Sequence, residues 1–291
     1  MIMNKLYWRQ LNVLYKLLVV NVAVFLTIIL IKLITFLLGM PQVIQAVVRF
    51  FSLPAAPVKL LIKPWTLFTY MFLHEGFWHI FANMLWLYFL GLIFIQYFSE
   101  KQLWRVYLIS GLIGGLFFFI AYNIFPVFWG VKNYAYLLGA SAAVSGIVIA
   151  VAAYRPQETI LIFGILPMPM WLLGVLYVLY DVSMLTVDNP GGHLAHLGGA
   201  LFGLWFGLAY HKGKDITAFM DRLSLRKKPR MRVHKNDYRP DDYEWNRSQR
   251  EIEEELNRIL DKISRKGYNS LTKKEREFLK RHSRDYRGFY G

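Results

Sequence analysis

The chain has 291 residues, 56% of them hydrophobic and 17% aromatic, with a formal net charge of +15 and no cysteine. That composition excludes an ordinary soluble domain, and the missing thiols exclude disulfides and cysteine nucleophiles without fixing a compartment. Apolar residues gather in runs of about 20, the length that spans about 30 Å of hydrocarbon, whereas 23 of the 34 Lys and Arg and 14 of the 19 Asp and Glu lie after Tyr210.

Residues 1–16 form a short polar and aromatic start with Lys5, Arg9 and Lys16. The first apolar run, about Leu17–Leu38, lacks a small-residue cleavage site, so it reads as a retained span rather than a leader. Its single charge, Lys32, lies toward the far end, within snorkelling reach of the interface. Residues 40–77 carry Pro41, Pro54, Pro57 and Pro64 and amphipathic pieces such as Val43–Leu53. They are too broken to span and too apolar to be freely solvated. The expectation is a re-entrant or interface-lying element packed on the bundle, since irregular backbone at that depth must be covered by protein. Trp65 and Trp78 suit an interfacial aromatic belt.

Span two is expected at about Trp78–Tyr97 and span three at about Leu103–Phe125, with Gly111, Gly114 and Gly115 for close packing. Span four, about Gly139–Ala153, covers only about 22 Å at 1.5 Å per residue. Its first residues must therefore lie below the membrane surface, facing a water-filled cavity. After a loop with Gly164, Pro167 and Pro169, span five runs over about Met170–Leu185. Span six, about Leu194–Tyr210, repeats small residues at Gly199, Gly203 and Gly207, a stripe for tight helix contact. Six spans put both termini on one side. Lys5, Arg9, Lys16, Lys101, Arg105, Arg155 and the basic tail share that side, which makes it cytoplasmic in a cell (inner) membrane. Arg49, Lys59, Lys63 and Lys132 fall opposite, three of them in the folded loop.

In this topology spans two, four and six all run inward from the outer face, with polar residues near their outer ends: His79 and Asn83, Ser141 and Ser145, and His196. His79 and Asn83, spaced i, i+4, share a helix face. Polar residues at such depth point to function. A serine hydroxyl becomes a nucleophile when a base removes its proton, and histidine is the usual base near neutral pH. An Asn amide, a His N–H and the free N–H of Ser141 at a helix start can serve a developing oxyanion. The set is therefore equipped for nucleophilic acyl transfer.

At these residues the chain resembles the rhomboid intramembrane serine proteases. His79-Ile-Phe-Ala-Asn83 is similar to the family's H-x-x-x-N on the second helix, Gly139-Ala-Ser141-Ala to its G-x-S-x motif, and Ala195-His196-Leu-Gly198-Gly199 to its A-H-x-x-G on the sixth. The resemblance covers about residues 15–210. It implies Ser141 as nucleophile and His196 as general base in a dyad, His79, Asn83 and Ser141 at the oxyanion, and no cofactor or metal. It also implies membrane-protein substrates cut in or near a transmembrane segment, and a lateral substrate route between spans two and five. Three positions differ from the common pattern: Ala142 where many members have glycine, Ser145 where many have an aromatic that stacks on the base, and Trp65-Thr66 where a Trp-Arg pair is common.

Other polar residues have plainer readings. Ser145 reads as a packing serine, His74 and His193 as loop or capping residues, and Asp181 as structural or gating, because span five runs outward and the resemblance implies a dyad. Two alternatives stand beside the protease: a catalytically inactive relative that binds membrane clients, and an intramembrane metal hydrolase. Inactive relatives usually lose the serine or the histidine, and this chain keeps both. The zinc-protease pattern needs histidines at i and i+4, whereas His74-Glu75-Gly-Phe-Trp-His79 is spaced i, i+5. The esterase elbow G-x-S-x-G fails at Ala143.

The expected fold class is an all-α membrane protein, a six-transmembrane-helix bundle over residues 17–211 with a small soluble helical tail. Residues 212–243 read as a basic linker whose Arg226-Lys-Lys-Pro-Arg230 and Arg232 favour anionic lipid headgroups over nucleic acid. Residues 244–291 read as a cytoplasmic helical hairpin, with Ile252, Leu256, Leu260 and Ile263 at helical spacing before a break at Lys266-Gly267. This tail resembles the helical appendix after the spans of some bacterial rhomboids.

Overall fold

The computed structural model describes residues 12–162, 164–223 and 240–282. It separates into two units, Met1–Leu225 and Arg226–Gly291.

Helix α1, Val13–Leu37, starts where the Asn12 side chain accepts a hydrogen bond from the Leu14 N–H. It is apolar on every face, yet buries only Leu14, Leu17, Asn21, Phe25 and Thr35 within the protein. A helix of that length and uniform apolarity is matched to hydrocarbon rather than water. Residues 40–77, expected to fold on the bundle, contain α2 (Gln42–Phe51), β1 (Leu53–Pro54), α3 (Pro57–Ile62), α4 (Thr66–Thr69) and a 3₁₀ turn at Tyr70–Phe72. Leu53, Ala55, Tyr70 and Met71 are buried. The Tyr70 hydroxyl donates to the Gly111 carbonyl at 2.5 Å, and Asn123 Nδ2 donates to the Ala55 carbonyl at 2.8 Å. The first gives the buried Tyr70 hydroxyl an acceptor, and the second satisfies a loop carbonyl that hydrocarbon would leave unpaired.

Helix α5 is Phe77–Tyr97 and α6 is Glu100–Ile124, the latter opened by a capping box between Ser99 and Gln102. Helices α1, α5 and α6 are long and apolar enough to cross a bilayer. Helices α7, Ser141–Tyr154, and α8, Met170–Met184, are apolar but shorter. Helix α9, Pro190–His211, begins with Asn189, whose side chain accepts from Gly192 N–H, and with proline at the first helical position. All six apolar runs of the sequence are helices, with α1 and α9 each beginning four residues earlier than expected. Leu26, Leu30, Phe36, Leu179 and Trp205 are exposed on their outer faces. Such a continuous apolar exterior marks a membrane protein.

Among the described residues, two short strand pairs interrupt the helices. Strand β1 pairs antiparallel with β2 (Tyr136–Leu137), just before α7. The Pro- and Gly-containing loop before α8, read from sequence as irregular, is a β-hairpin, β3 (Thr159–Ile162) with β4 (Leu166–Pro169).

The centre of this unit is α7, buried from Ala142 through Ala152. The glycine stripe of α9 lies on its backbone. A side chain at Gly199 would overlap the Ala142 carbonyl, one at Gly203 the Gly146 carbonyl and one at Gly207 the Ala150 carbonyl. Each contact recurs every fourth residue on both helices, so the two run together without intervening side chains. Beyond α9, α10 (Met220–Leu223) follows a segment tied to α6. Gln102 Nε2 donates to Asp215 at 2.9 Å, and Arg105 pairs with Asp221.

The second unit contains α11 (Pro240–Lys266), a 3₁₀ turn at Tyr268–Ser270, and α12 (Lys273–His282). Gly267 breaks the first helix at φ +78°. Thr272 and Glu275 cap the second reciprocally, Glu275 accepting the Thr272 N–H at 2.7 Å while Lys262 reaches the same carboxylate at 2.8 Å. Ile259 and Leu271 are buried. The basic run Arg226–Arg232 lies outside the described residues.

Candidate active site

The site begins at the turn into α7. Gly139 has φ +126°, a conformation that side chains oppose, and its N–H donates to the Tyr70 carbonyl at 2.9 Å. Among the described residues no side chain caps the helix at Ala140, so the first-turn N–H groups keep their donor capacity. Residues 139–152 are all buried except Ser141, which remains partly accessible.

Gly139 also makes room for His79. A Cβ at Gly139 would stand 2.9 Å from His79 Nε2 and 3.5 Å from Ser141 Oγ, so the imidazole from α5 and the serine hydroxyl border the same glycine. Asn83, one turn further along α5, is buried and donates from Nδ2 to the His79 carbonyl at 2.9 Å. His74 packs edge-on to His79 with ring centroids 5.0 Å apart, and neither of its ring nitrogens has a partner among the described residues. Burial, reinforced by His79, pushes the His74 imidazole down to about 4.

The α7–α9 contact brings the first turns of the two helices together. Gly199 rests on Ala142, the residue after Ser141, and His196 precedes Gly199 by three positions, nearly one turn. His196 is partly accessible, and its Nδ1 lies 2.8 Å from Asp181 Oδ1. Among the described residues, neither Ser141 Oγ nor His196 Nε2 has a hydrogen-bond partner. Catalytic hydrogen bonds are often long before substrate binds and tighten in the complex.

Sequence reasoning did not bring out the contribution of α8. Its buried face carries Met170, Leu173, Gly174 and, near the end, Asp181. Tyr177, one turn before Asp181, meets Ser145 at 2.8 Å, and the Ser145 hydroxyl also donates to the Ser141 carbonyl at 2.8 Å. Asp181, expected to be structural or gating, bonds both His196 and His193, the latter at 2.7 Å. His193 is thus an inward-facing buried partner rather than a surface cap. The available signal was the i, i+4 spacing of Tyr177 and Asp181, two polar groups on one face of an apolar helix. The ligand atoms of Asp181, His193 and His196 lie within 4.8 Å of one another, a grouping that could also grip a transition metal.

An apolar helical bundle, its outer face lined with exposed large hydrophobic side chains, defines a membrane protein. The profile described as Rhomboid domain matches residues 62–213, more than half of the chain. The chain belongs to the rhomboid family. RHOMBOID-like protein 12, mitochondrial, of Arabidopsis thaliana is 31% identical over 145 residues, which cover 46% of this chain and 43% of that protein. Presenilin-associated rhomboid-like protein, mitochondrial, of Homo sapiens is 32% identical over 171 residues, covering 57% of this chain and 42% of that protein. The chain therefore matches less than half the length of these curated relatives. Residues 241–285 match a separate family of unknown function, DUF6576.

Proposed function

We propose that the chain is an intramembrane serine endopeptidase that cuts membrane proteins in or near a transmembrane segment. Membership of the rhomboid family supports intramembrane proteolysis. The observation that carries the reading to particular residues is the partial accessibility of Ser141 alone within the buried stretch 139–152, with His79 bordering the same glycine and His196 three residues before the Gly199–Ala142 contact.

In the proposed reaction Ser141 Oγ attacks the scissile carbonyl carbon while its proton passes to His196 Nε2. The oxyanion takes hydrogen bonds from the Ser141 N–H and from His79 and Asn83; a single such donor is worth about 10²–10³ in rate. Collapse breaks the C–N bond, His196 returns its proton to the departing amine, and an ester remains on Ser141. Water then attacks the ester, giving a proton to His196, which restores it to Ser141 as the carboxylic acid leaves. Asn83 Nδ2 has one hydrogen engaged by the His79 carbonyl and a second free for this purpose.

The proposed setting is a six-span bundle in a cell (inner) membrane with both termini cytoplasmic. The basic segment after α9 would lie against anionic headgroups. Cleavage of a single-pass membrane substrate in liposomes tests the activity, with wild type active and Ser141→Ala and His196→Ala inactive. Wild type that binds the substrate without cutting it would instead indicate a client-binding relative.

The grouping of Asp181, His193 and His196 favours one second reading, a metal hydrolase. Stoichiometric metal in the purified protein, with cleavage lost to a chelator and kept by Ser141→Ala, would select it.

A further inference from the structure

We propose that Asp181 is a positioning residue for His196, so that the reaction runs on a Ser141–His196–Asp181 constellation rather than on a dyad. The proposal rests on the serine-protease reading above.

Asp181 is 1% exposed and belongs to a largely apolar helix. A carboxylate in such surroundings is costly unless it is paired. Its partners are two imidazoles: Oδ1 lies 2.8 Å from His196 Nδ1 and 2.7 Å from His193 Nδ1. In this proposal Asp181 is the acceptor of both contacts, with each ring donating from Nδ1. In neutral His196 that leaves Nε2 as the basic nitrogen, which is the tautomer required to accept the Ser141 proton. When Nε2 takes that proton, the imidazolium forms against a carboxylate already in place, and no group has to move.

His193 and Tyr177 complete the arrangement. His193 holds the carboxylate from the same helix as His196, three residues earlier, so the acceptor is fixed relative to the ring it orients. Tyr177 meets Ser145 at 2.8 Å, which ties α8 to α7 one turn from Asp181. Position 145 is where many rhomboids carry an aromatic against the base histidine. Here the serine anchors α8 instead, and α8 seats the histidine through a hydrogen bond. The equal, hydrogen-bond-length approach of both rings to a single oxygen favours this network over a metal cage.

The test uses the full chain in liposomes with Asp181→Asn and Asp181→Glu. Asp181→Asn is expected to lower kcat by about 10²–10⁴-fold, the scale at which a histidine loses its orienting carboxylate in a serine triad, with KM changed less than about twofold. Asp181→Glu is expected to recover part of that loss. Nitrogen-15 histidine spectra of the wild type should show His196 protonated at Nδ1. Wild-type kcat in Asp181→Asn, alongside an inactive Ser141→Ala, would overturn the proposal and leave the protease reading intact. Inactive wild type would sink the protease reading instead, and the spectrum would still decide the orientation, with Nε2–H overturning it. If Asp181→Asn fails to fold, the wild-type spectrum and the Asp181→Glu kinetics carry the same decision. Stoichiometric metal bound by wild type and lost from Asp181→Asn would also overturn it.

Discussion

Gly199 of α9 lies directly on the Ala142 carbonyl of α7, one residue past the candidate nucleophile. Because the obstructing atoms are backbone, a side chain cannot be accommodated by a rotamer change. Gly199→Val should destabilise the protein by about 3 kcal/mol, at the upper end of ordinary overpacking, and should abolish cleavage by separating His196 from Ser141. Gly130, whose added Cβ would meet nothing within 4 Å, provides the control: Gly130→Ala should leave both melting temperature and activity unchanged.

Gly139→Ala separates site geometry from global stability. Its φ of +126° strains any L-residue, at about 1–3 kcal/mol. The new methyl would also press on the His79 ring, 2.9 Å away at Nε2. The expected outcome is a larger loss of kcat than the change in melting temperature accounts for. Proportionate losses would show that this turn serves stability alone.

The Ser145–Tyr177 bond predicts an asymmetry between its two ends. Tyr177→Phe leaves Ser145 still bonded to the Ser141 carbonyl and should cost about 1 kcal/mol. Ser145→Ala removes the hydroxyl's bonds to both partners and leaves the Tyr177 hydroxyl in search of another, so it should cost more, about 1–3 kcal/mol. Thermal unfolding of the two variants in one detergent checks the order.

The six apolar runs were legible as helices because bilayer-length hydrophobicity and helix-packing glycines are written directly in sequence. The Gly199, Gly203 and Gly207 stripe even indicated which face of α9 packs closely. Ser141, His79 and His196 could be grouped from their place in the runs. Asp181 could not, because a lone carboxylate in an apolar helix carries no mark of which neighbour it faces. Its meaning depends on the depth at which α8 ends relative to α9, a tertiary fact set by Tyr177 on Ser145 and by the turn at Asn189. The strand pairs were missed for a similar reason: two- and four-residue strands are too short for alternation to stand out.

His74 gives the fold an acid sensitivity. Its imidazole titrates at about 4 when folded, against an ordinary 6.5, because burial and His79 both oppose the charge. Above pH 6.5 both folded and unfolded chains hold it neutral, and its contribution is fully favourable. Between pH 6.5 and about 4 the unfolded chain binds a proton that the folded chain does not, so stability falls with pH by up to about 3 kcal/mol. Melting temperatures measured from pH 7 to pH 4 should decline less steeply in His74→Phe than in wild type. Parallel curves would remove His74 as a cause.

Covalent capture of the proposed nucleophile, Ser141, bears most directly on the account. Membranes containing the full chain would be treated with a fluorophosphonate and the adduct located by peptide mass spectrometry. The account predicts a single adduct on Ser141, formed at least about 10²-fold more slowly in His196→Ala, the scale of lost general-base assistance. No adduct on Ser141, or labelling of wild type and His196→Ala at equal rates, would contradict it.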